Sequence, residues 1–367
     1  MPPGPLTILQ MPEAIPAATG EDLILSLLRP HLLSLKPYSS ARSEFDGRAE
    51  VYLDANENPF EGGYNRYPDP LQRDLKTALS GIHGVDVESI FVGNGSDEAI
   101  DLLMRLIGRP GRDCILQMPP TYGMYKVSAA INNLALVDVP LGADFQPDVR
   151  QVLAKASELG EQAKLLFVCT PNNPTGNDFK RDHVLSLIEG FDGLVVVDQA
   201  YSDFSSAPSY VDLLSDHPNL VVLQTLSKAY GLASARLGVA FASTAIVRWL
   251  NAIKPPYNVS GPSQAAGLEV LRDEARTRLQ IKDILTERTR LEAELNSFEG
   301  IEQVYPSDSN FVLCRVPRAD TWYAALVGQG IVVRNQTSKF EGVGHLRFTV
   351  GTAEENVRLL EALRALS

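Results

Sequence analysis

From about Asp86 onward the chain alternates short apolar runs with stretches of helical periodicity, and this alternation narrows the possible folds more than any other property. Ser89-Ile90-Phe91-Val92 leads into Gly93-Asn94-Gly95-Ser96, and a helical pattern then starts at Asp97. The run at 114–118 stops at Pro119-Pro120, and the run at 165–169 stops at Thr170-Pro171-Asn172-Asn173-Pro174. Further runs occur at 194–197, 220–224 and 238–242. Apolar runs of this length between turn formers read as buried strands. Strands that alternate with helices build an α/β domain on a mostly parallel sheet.

A long helical pattern from about Ser263 to Ser297 leaves that sheet. Shorter runs at 310–314, 330–333 and 345–350, with a final helix from Glu354, predict a smaller α+β unit. The expected organisation is an N-terminal extension over 1–28, a large sheet domain over 61–255, and a small domain made of 29–60 with 256–367. A chain of 367 residues is long enough for both.

The formal net charge of −12 argues against general polyanion binding, so no nucleic-acid partner is expected. No apolar run reaches membrane-spanning length. The first 20 residues lack a basic start and a continuous apolar stretch, and read as a loose extension rather than a signal peptide. Cys114, Cys169 and Cys314 form no CxxC pair and read as buried reduced thiols of a cytoplasmic protein, without a metal role.

In open α/β sheets ligands bind beyond the carboxyl ends of the strands, and the reactive side chains collect there. Thr225-Leu226-Ser227-Lys228 comes after one apolar run, with Arg236 beyond it; Asp198 closes another, with Tyr201 just after. An aspartate, a tyrosine and a lysine at neighbouring strand ends are the groups needed to hold a pyridine-based aldehyde cofactor. The lysine makes a Schiff base, the carboxylate pairs with the pyridinium nitrogen, and the phenol bonds the ring hydroxyl. A carboxylate closing so apolar a strand costs desolvation unless it is paired, and a crowded lysine has a lowered pKa. The turn Gly93-Asn94-Gly95-Ser96-Asp97 suits a phosphate ester through its backbone N–H groups, although Asp97 also reads as a helix N-cap. Thr225, Ser227 and Arg236 add hydroxyls and a guanidinium for the same anion. The loop 170–176 is a tight turn whose amides either reach the cofactor or serve the turn alone, and spacing does not choose. The stretch 119–125, with Tyr122 and Tyr125, offers an aromatic at a strand end that can stack on a pyridine face, although aromatics are more often core.

Ser227-Lys228, Asp198-x-x-Tyr201, Asn172-Asn173-Pro174-Thr175-Gly176 and the distal Arg347 resemble the fold-type I aminotransferases. Within them, Asp54-Ala55-Asn56-Glu57-Asn58-Pro59, Asn65-Arg66-Tyr67-Pro68, the stretches 119–125 and 226–229, and Leu346-Arg347-Phe348-Thr349-Val350-Gly351-Thr352 are similar to the histidinol-phosphate aminotransferase branch. The similarity runs from about Arg29 to the C-terminus. It implies the fold-type I architecture, with a large mostly parallel sheet domain and a smaller α+β domain, and pyridoxal 5'-phosphate as cofactor. Lys228 would carry the cofactor, Asp198 would bind the pyridine nitrogen, and Tyr201 with Asn173 would contact the ring hydroxyl. Tyr122 would stack on the ring, and Gly95, Ser96, Asp97, Ser227 and Arg236 would surround the phosphate, Asp97 mainly through its backbone N–H. Tyr67 is expected to reach the cofactor of a second subunit, which makes the active unit a homodimer. On the substrate side, Arg347 matches an α-carboxylate clamp, Arg334 and Tyr38 match positions at the phosphate end of the donor, and Asn56 lies in a branch motif. The implied reaction is a reversible ping-pong transfer from L-histidinol phosphate to 2-oxoglutarate. Aromatic or broad-range aminotransferases and phosphothreonine decarboxylases share the fold. Two positions depart from the pattern: Gln199 stands where an acidic residue is frequent, and Asn94 where a basic one is common.

Overall fold

The computed structural model describes residues 20–38 and 50–366. Seven strands form the large sheet: β1 (Ile90–Asn94), β2 (Cys114–Gln117), β3 (Ala135–Asp138), β4 (Ala163–Cys169), β5 (Leu194–Asp198), β6 (Leu220–Thr225) and β7 (Leu237–Ala242). Their order is β1-β7-β6-β5-β4-β2-β3. Strands β2 to β6 pair in parallel, while β7 runs antiparallel to β1 and β6. Every residue of β4, β5 and β7 is buried, as expected for strands covered on both faces.

Successive side chains of a strand point to opposite faces, and β5 divides its residues between two cores accordingly. Val195 and Val197 join one apolar core, with Val168 and Val222. Leu194 and Val196 join the other, with Phe167 and Tyr125. Asp198 continues the Val196 face, and there its carboxylate meets the Tyr125 hydroxyl. The register of β7 has a second effect. Asn94 pairs with Leu237 and Thr225 with Gly238, so the glycine turn after β1, the end of β6 and Arg236 lie side by side.

The small sheet consists of β8 (Gln303–Val304), β9 (Phe311–Arg315), β10 (Arg334–Asn335) and β11 (His345–Thr349), antiparallel in the order β10-β11-β9-β8. Its core gathers Leu291, Val312, Trp322, Leu346, Phe348 and Leu360. The two units are tied at the loop after β4: Asp308 N–H donates to the Gly176 carbonyl at 2.7 Å, and Asp178 N–H donates to Asp308 Oδ2 at 2.8 Å.

Several expectations are corrected. The run at 330–333 is not a strand; Ile331 and Val333 pack on the small core while Val332 is exposed, and ladder pairing is confined to Arg334–Asn335. The expected long helix breaks into Gly261–Arg272 and Glu274–Leu295, because the Asp273 carboxylate accepts the Arg276 N–H and caps a new start. Leu271 still belongs to the large core, so that unit extends past the expected boundary at 256. Near the N-terminus, Arg29 bonds the carbonyls of Arg105 and Leu106 on the helix Ser96–Ile107 of the large unit. Residues Gly20–Leu27 form a helix with buried Ile24 and Leu27, packed on the helix Thr244–Ile253. The first 19 residues of the expected extension lie outside the described residues. The edge strand β3 and the two-residue β8 were not expected; only a few residues of each pair.

Candidate active site

The carboxyl ends of β4, β5 and β6 open into one pocket lined by Ser96, Asp97, Tyr122, Asn173, Asp198, Tyr201, Thr225, Ser227, Lys228 and Arg236, with Cys169 and Ala200. Ten of the expected cofactor residues therefore share one cavity.

Asp198 forms its floor, 2 % exposed. Its Oδ2 accepts the Tyr125 hydroxyl at 2.6 Å and its Oδ1 accepts the Ala200 N–H at 3.1 Å. Burial raises its pKa to about 6, against the lowering effect of those two hydrogen bonds. Among the described residues no lysine or arginine forms an ion pair with it. A desolvated carboxylate without a cation is destabilised, and a cationic group bound at this place would supply the missing charge.

Lys228 lies above the Tyr201 ring, with Nζ 5.6 Å from its centroid. Partial burial lowers the lysine pKa, and the Arg347 and Arg236 guanidiniums lower it further. Tyr201 is buried, its hydroxyl accepts from Asn173 Nδ2 at 3.4 Å, and its ring packs edge-on against Phe311. Burial drives its pKa well up, so it stays a neutral phenol at neutral pH.

The anion cup is built on backbone. Gly95 N–H donates to the Arg236 carbonyl at 2.7 Å, which fixes the turn that opens the helix Ser96–Ile107. A helix start leaves N–H groups without backbone partners, and the macrodipole favours an anion beside them. Gly95 has φ +80°, and a Cβ there would stand 2.7 Å from Arg236 Nη2. Gly238 is tighter: a Cβ would stand 2.0 Å from the Ser96 nitrogen. Asp97 is not the N-cap; Gly95 holds that position. The Asp97 carboxylate accepts the Tyr122 hydroxyl at 3.0 Å and faces Arg236 Nη2 at 3.6 Å, so it orients the ring and the guanidinium that border the cup. Thr225 spends its hydroxyl on the Leu237 carbonyl and receives the Ser227 N–H, shaping the turn before Lys228.

Across the cleft, Arg347 Nη1 donates to Asn173 Oδ1, its guanidinium stacks 4.8 Å from the Phe311 ring, and its buried Nε has no partner. Asn173 thus joins Tyr201 to Arg347. Arg334 faces Arg347 in register on the same hairpin but is exposed. Tyr38, Asn56 and Tyr67 are not part of this pocket. Tyr38 is 71 % exposed; Tyr67 stacks on Tyr257 at 4.5 Å and shares a separate surface hollow with Asn56.

Two contributors carry little signal in the sequence. Tyr125 braces the floor carboxylate, whereas its stretch reads only as offering an aromatic that stacks or packs. Lys339 enters from the small domain to bond the Thr121 carbonyl, and no local pattern signals that. The departures are local. Gln199 Oε1 accepts from the Ser209 hydroxyl and Tyr210 N–H, bracing a loop outside the pocket, and the Asn94 N–H is taken up by Glu98. Among the described residues no cluster of His, Cys, Asp and Glu is arranged to hold a metal, and no helix is long and apolar enough to cross a membrane.

The sequence model of the family described as aminotransferase class I and II matches residues 47–363. A histidinol-phosphate aminotransferase of Parabacteroides distasonis is 51% identical over 338 residues, covering 92% of this chain and 97% of the relative. Among solved structures, the histidinol-phosphate aminotransferase of Clostridium acetobutylicum superposes with a TM-score of 0.76 at 22% identity, covering 83% of this chain and 91% of that one. The Sinorhizobium meliloti histidinol-phosphate aminotransferase in complex with pyridoxal-5'-phosphate gives 0.72 at 25% identity, covering 82% of this chain and 84% of the other.

Proposed function

The chain belongs to the class I and II aminotransferase family, and on that premise we propose that it is a histidinol-phosphate aminotransferase. It transfers the amino group of L-histidinol phosphate to 2-oxoglutarate, giving imidazole acetol phosphate and glutamate in histidine biosynthesis. The observation that carries this reading is the joining of Lys228, Asp198, Tyr201 and the Ser96–Arg236 cup in one pocket that faces Arg347. The name of the Parabacteroides relative supplies the donor.

The cofactor we assign is pyridoxal 5'-phosphate. When bound, it supplies an electron-withdrawing pyridinium ring that acidifies the donor Cα–H. Lys228 Nζ would be its attachment point, Asp198 would keep the ring nitrogen protonated, and Tyr201 with Asn173 would hold the ring oxygen. Tyr122 would border the ring, while Ser227, Arg236 and the N–H groups of Ser96 and Asp97 would take the phosphate. The Lys228 amine, freed when the donor amine displaces it and with its pKa lowered, would take the proton from the donor Cα and deliver it to the cofactor's aldehyde carbon. Arg347 offers two parallel N–H donors to a carboxylate or a phosphate.

A homodimer completes the reading. Leu53, Phe60 and Tyr64 are 80–90 % exposed, an unusual apolar display on the segment that carries Asn56 and Tyr67. A second copy of the chain covers that segment and receives Tyr67 at its cofactor phosphate. The cytoplasm is the setting we infer, since it suits three buried free thiols.

The decisive experiment mixes pyridoxal-phosphate-loaded protein with L-histidinol phosphate, without a keto acid, while the visible absorbance is monitored. Conversion to a pyridoxamine-like spectrum at low donor concentration is the expected result. A band that responds only to tyrosine or phenylalanine keeps the chemistry and overturns the donor, and absence of any band after loading overturns the assignment of Lys228.

A further inference from the structure

Lys339 ends the 3-10 turn Thr337–Lys339 that comes after β10. Its ammonium crosses from the small domain and donates to the Thr121 carbonyl, beside the Tyr122 that borders the anion cup. Arg334 and Arg347, opposite each other in the β10–β11 register, are within its electrostatic reach. Among the described residues none of these three cations forms an ion pair with a carboxylate.

Such a cluster is costly. Like charges directly opposite on a sheet repel, and a charge partly withdrawn from water, as on Arg347 and Lys339 though not on the exposed Arg334, needs a partner of opposite sign. The Thr121 carbonyl satisfies one ammonium hydrogen and neutralises nothing. Burial first, with Arg347 and Arg334 adding to it, lowers the Lys339 pKa to about 8. The buried, unpartnered Arg347 Nε is a further donor awaiting an acceptor in the same quarter. A single carboxylate carries one charge and leaves the surplus largely standing. A phosphate monoester carries close to two, with three acceptor oxygens on one centre.

We propose that Lys339 is a specificity-determining residue of the donor site, a third cation beside Arg334 and Arg347 that recognises the donor's phosphate group. This rests on the reading of the donor as a phosphate ester. The Thr121 carbonyl holds the ammonium at the cleft edge, so the phosphate is met by a preplaced charge rather than by a free surface lysine. The two cationic patches then divide the work, with the Arg236 cup for the cofactor phosphate and the Lys339 group for the donor phosphate.

The test uses the cofactor-loaded enzyme with L-histidinol phosphate as donor and L-histidinol as a phosphate-free competitor. Lys339→Met is expected to raise KM for L-histidinol phosphate about tenfold or more, the loss of one charged hydrogen bond. The inhibition constant for L-histidinol should stay within about twofold. Lys339→Gln keeps a donor for the Thr121 carbonyl but no charge, and should behave like Lys339→Met. If Lys339→Gln restores wild-type KM, or both ligands weaken equally, or the visible circular dichroism of the bound cofactor changes, Lys339 only ties the Tyr122 loop and the proposal falls. If the unsubstituted enzyme itself does not prefer L-histidinol phosphate to L-histidinol, the donor reading fails first, and that result is read without any variant.

Discussion

The floor of the pocket and the arm at residues 50–67 were both expected to serve the same reaction, yet the chain builds them very differently. At the ends of β4 to β6 the polar groups are buried and interlocked: Asp198 on Tyr125, Tyr201 on Asn173, Asn173 on Arg347. Along the arm, Asn56 and Tyr67 stand apart from Lys228, with Tyr67 exposed, as does Tyr38 just before the arm. A parallel sheet gathers residues from distant parts of one chain, because every crossover returns to the same edge. An arm without a sheet of its own has no such constraint. Within the chain it is tied by contacts such as the Arg66–Glu57 pair and the Tyr67–Tyr257 stack, and the proposed second copy would add the surface that a sheet supplies at the floor.

The sharpest way to break this contrast is at the floor. Lys228→Ala should lower kcat by about a hundredfold to ten-thousandfold, the size expected when a general acid–base group is lost, and should remove the visible band of the loaded cofactor. Steady-state turnover near that of the unsubstituted enzyme would leave the pocket without its mechanism.

Asp198 offers a finer test, because its cost and its use have opposite signs. Its folded-state pKa, about 6, lies above the ordinary 3.8 of an aspartate. The folded, cofactor-free protein therefore binds the extra proton between these two values, and this group's contribution to stability falls as pH rises through that window. Asp198→Asn should raise the melting temperature of cofactor-free protein at pH 8, corresponding to a stability gain of at most about 3 kcal/mol. It should also shrink the stabilisation gained on adding pyridoxal phosphate. Calorimetry with and without cofactor reads both, and a variant that melts lower in the cofactor-free state would show that the carboxylate is not strained.

The arm is tested by mixing. Lys228→Ala subunits and Tyr67→Ala subunits should each turn over poorly alone, yet regain a minor fraction of activity when unfolded and refolded together. In the mixed dimer one site keeps both its own lysine and the partner's tyrosine. No recovery, with mixed dimers demonstrated by mass, would place Tyr67 in service of its own subunit.

The smallest effect is expected at Gln199. Gln199→Glu retains the acceptor for Ser209 and Tyr210 and should change kcat little. Gln199→Ala leaves the buried Tyr210 N–H without a partner and should cost about 1–3 kcal/mol in urea unfolding.

What could be read in the sequence depended on whether a signal was local. Asp198 closing an apolar run and Lys228 coming after two hydroxyls are local, and the sheet then supplied the meeting place. Tyr125 was ambiguous, because an aromatic at a helix start reads as core, and in part it is core, stacked on Phe167. Its hydroxyl became functional only through strand order, with β4 lying between β2 and β5. Lys339 left no trace at all. Its partner Thr121 lies on the other side of the cleft, and in sequence the lysine is simply a polar residue in a turn. Gln199 looked like a departure at the site and proved to hold the loop at 209–210.

The contact between β7 and the start of the helix Ser96–Ile107 carries a lesson for mutational scans. At Gly238 there is space for a hydrogen and nothing larger, and the first atom in the way is the Ser96 nitrogen. A substitution there would push the turn that opens the helix Ser96–Ile107 outward and, on the proposed reading, would register in an activity screen as a cofactor-binding defect. Gly238 does not line the pocket. A screen would therefore score as a ligand contact a position whose whole contribution is to be absent, and supplementing the growth medium with cofactor precursor would distinguish such a shape defect from lost chemistry.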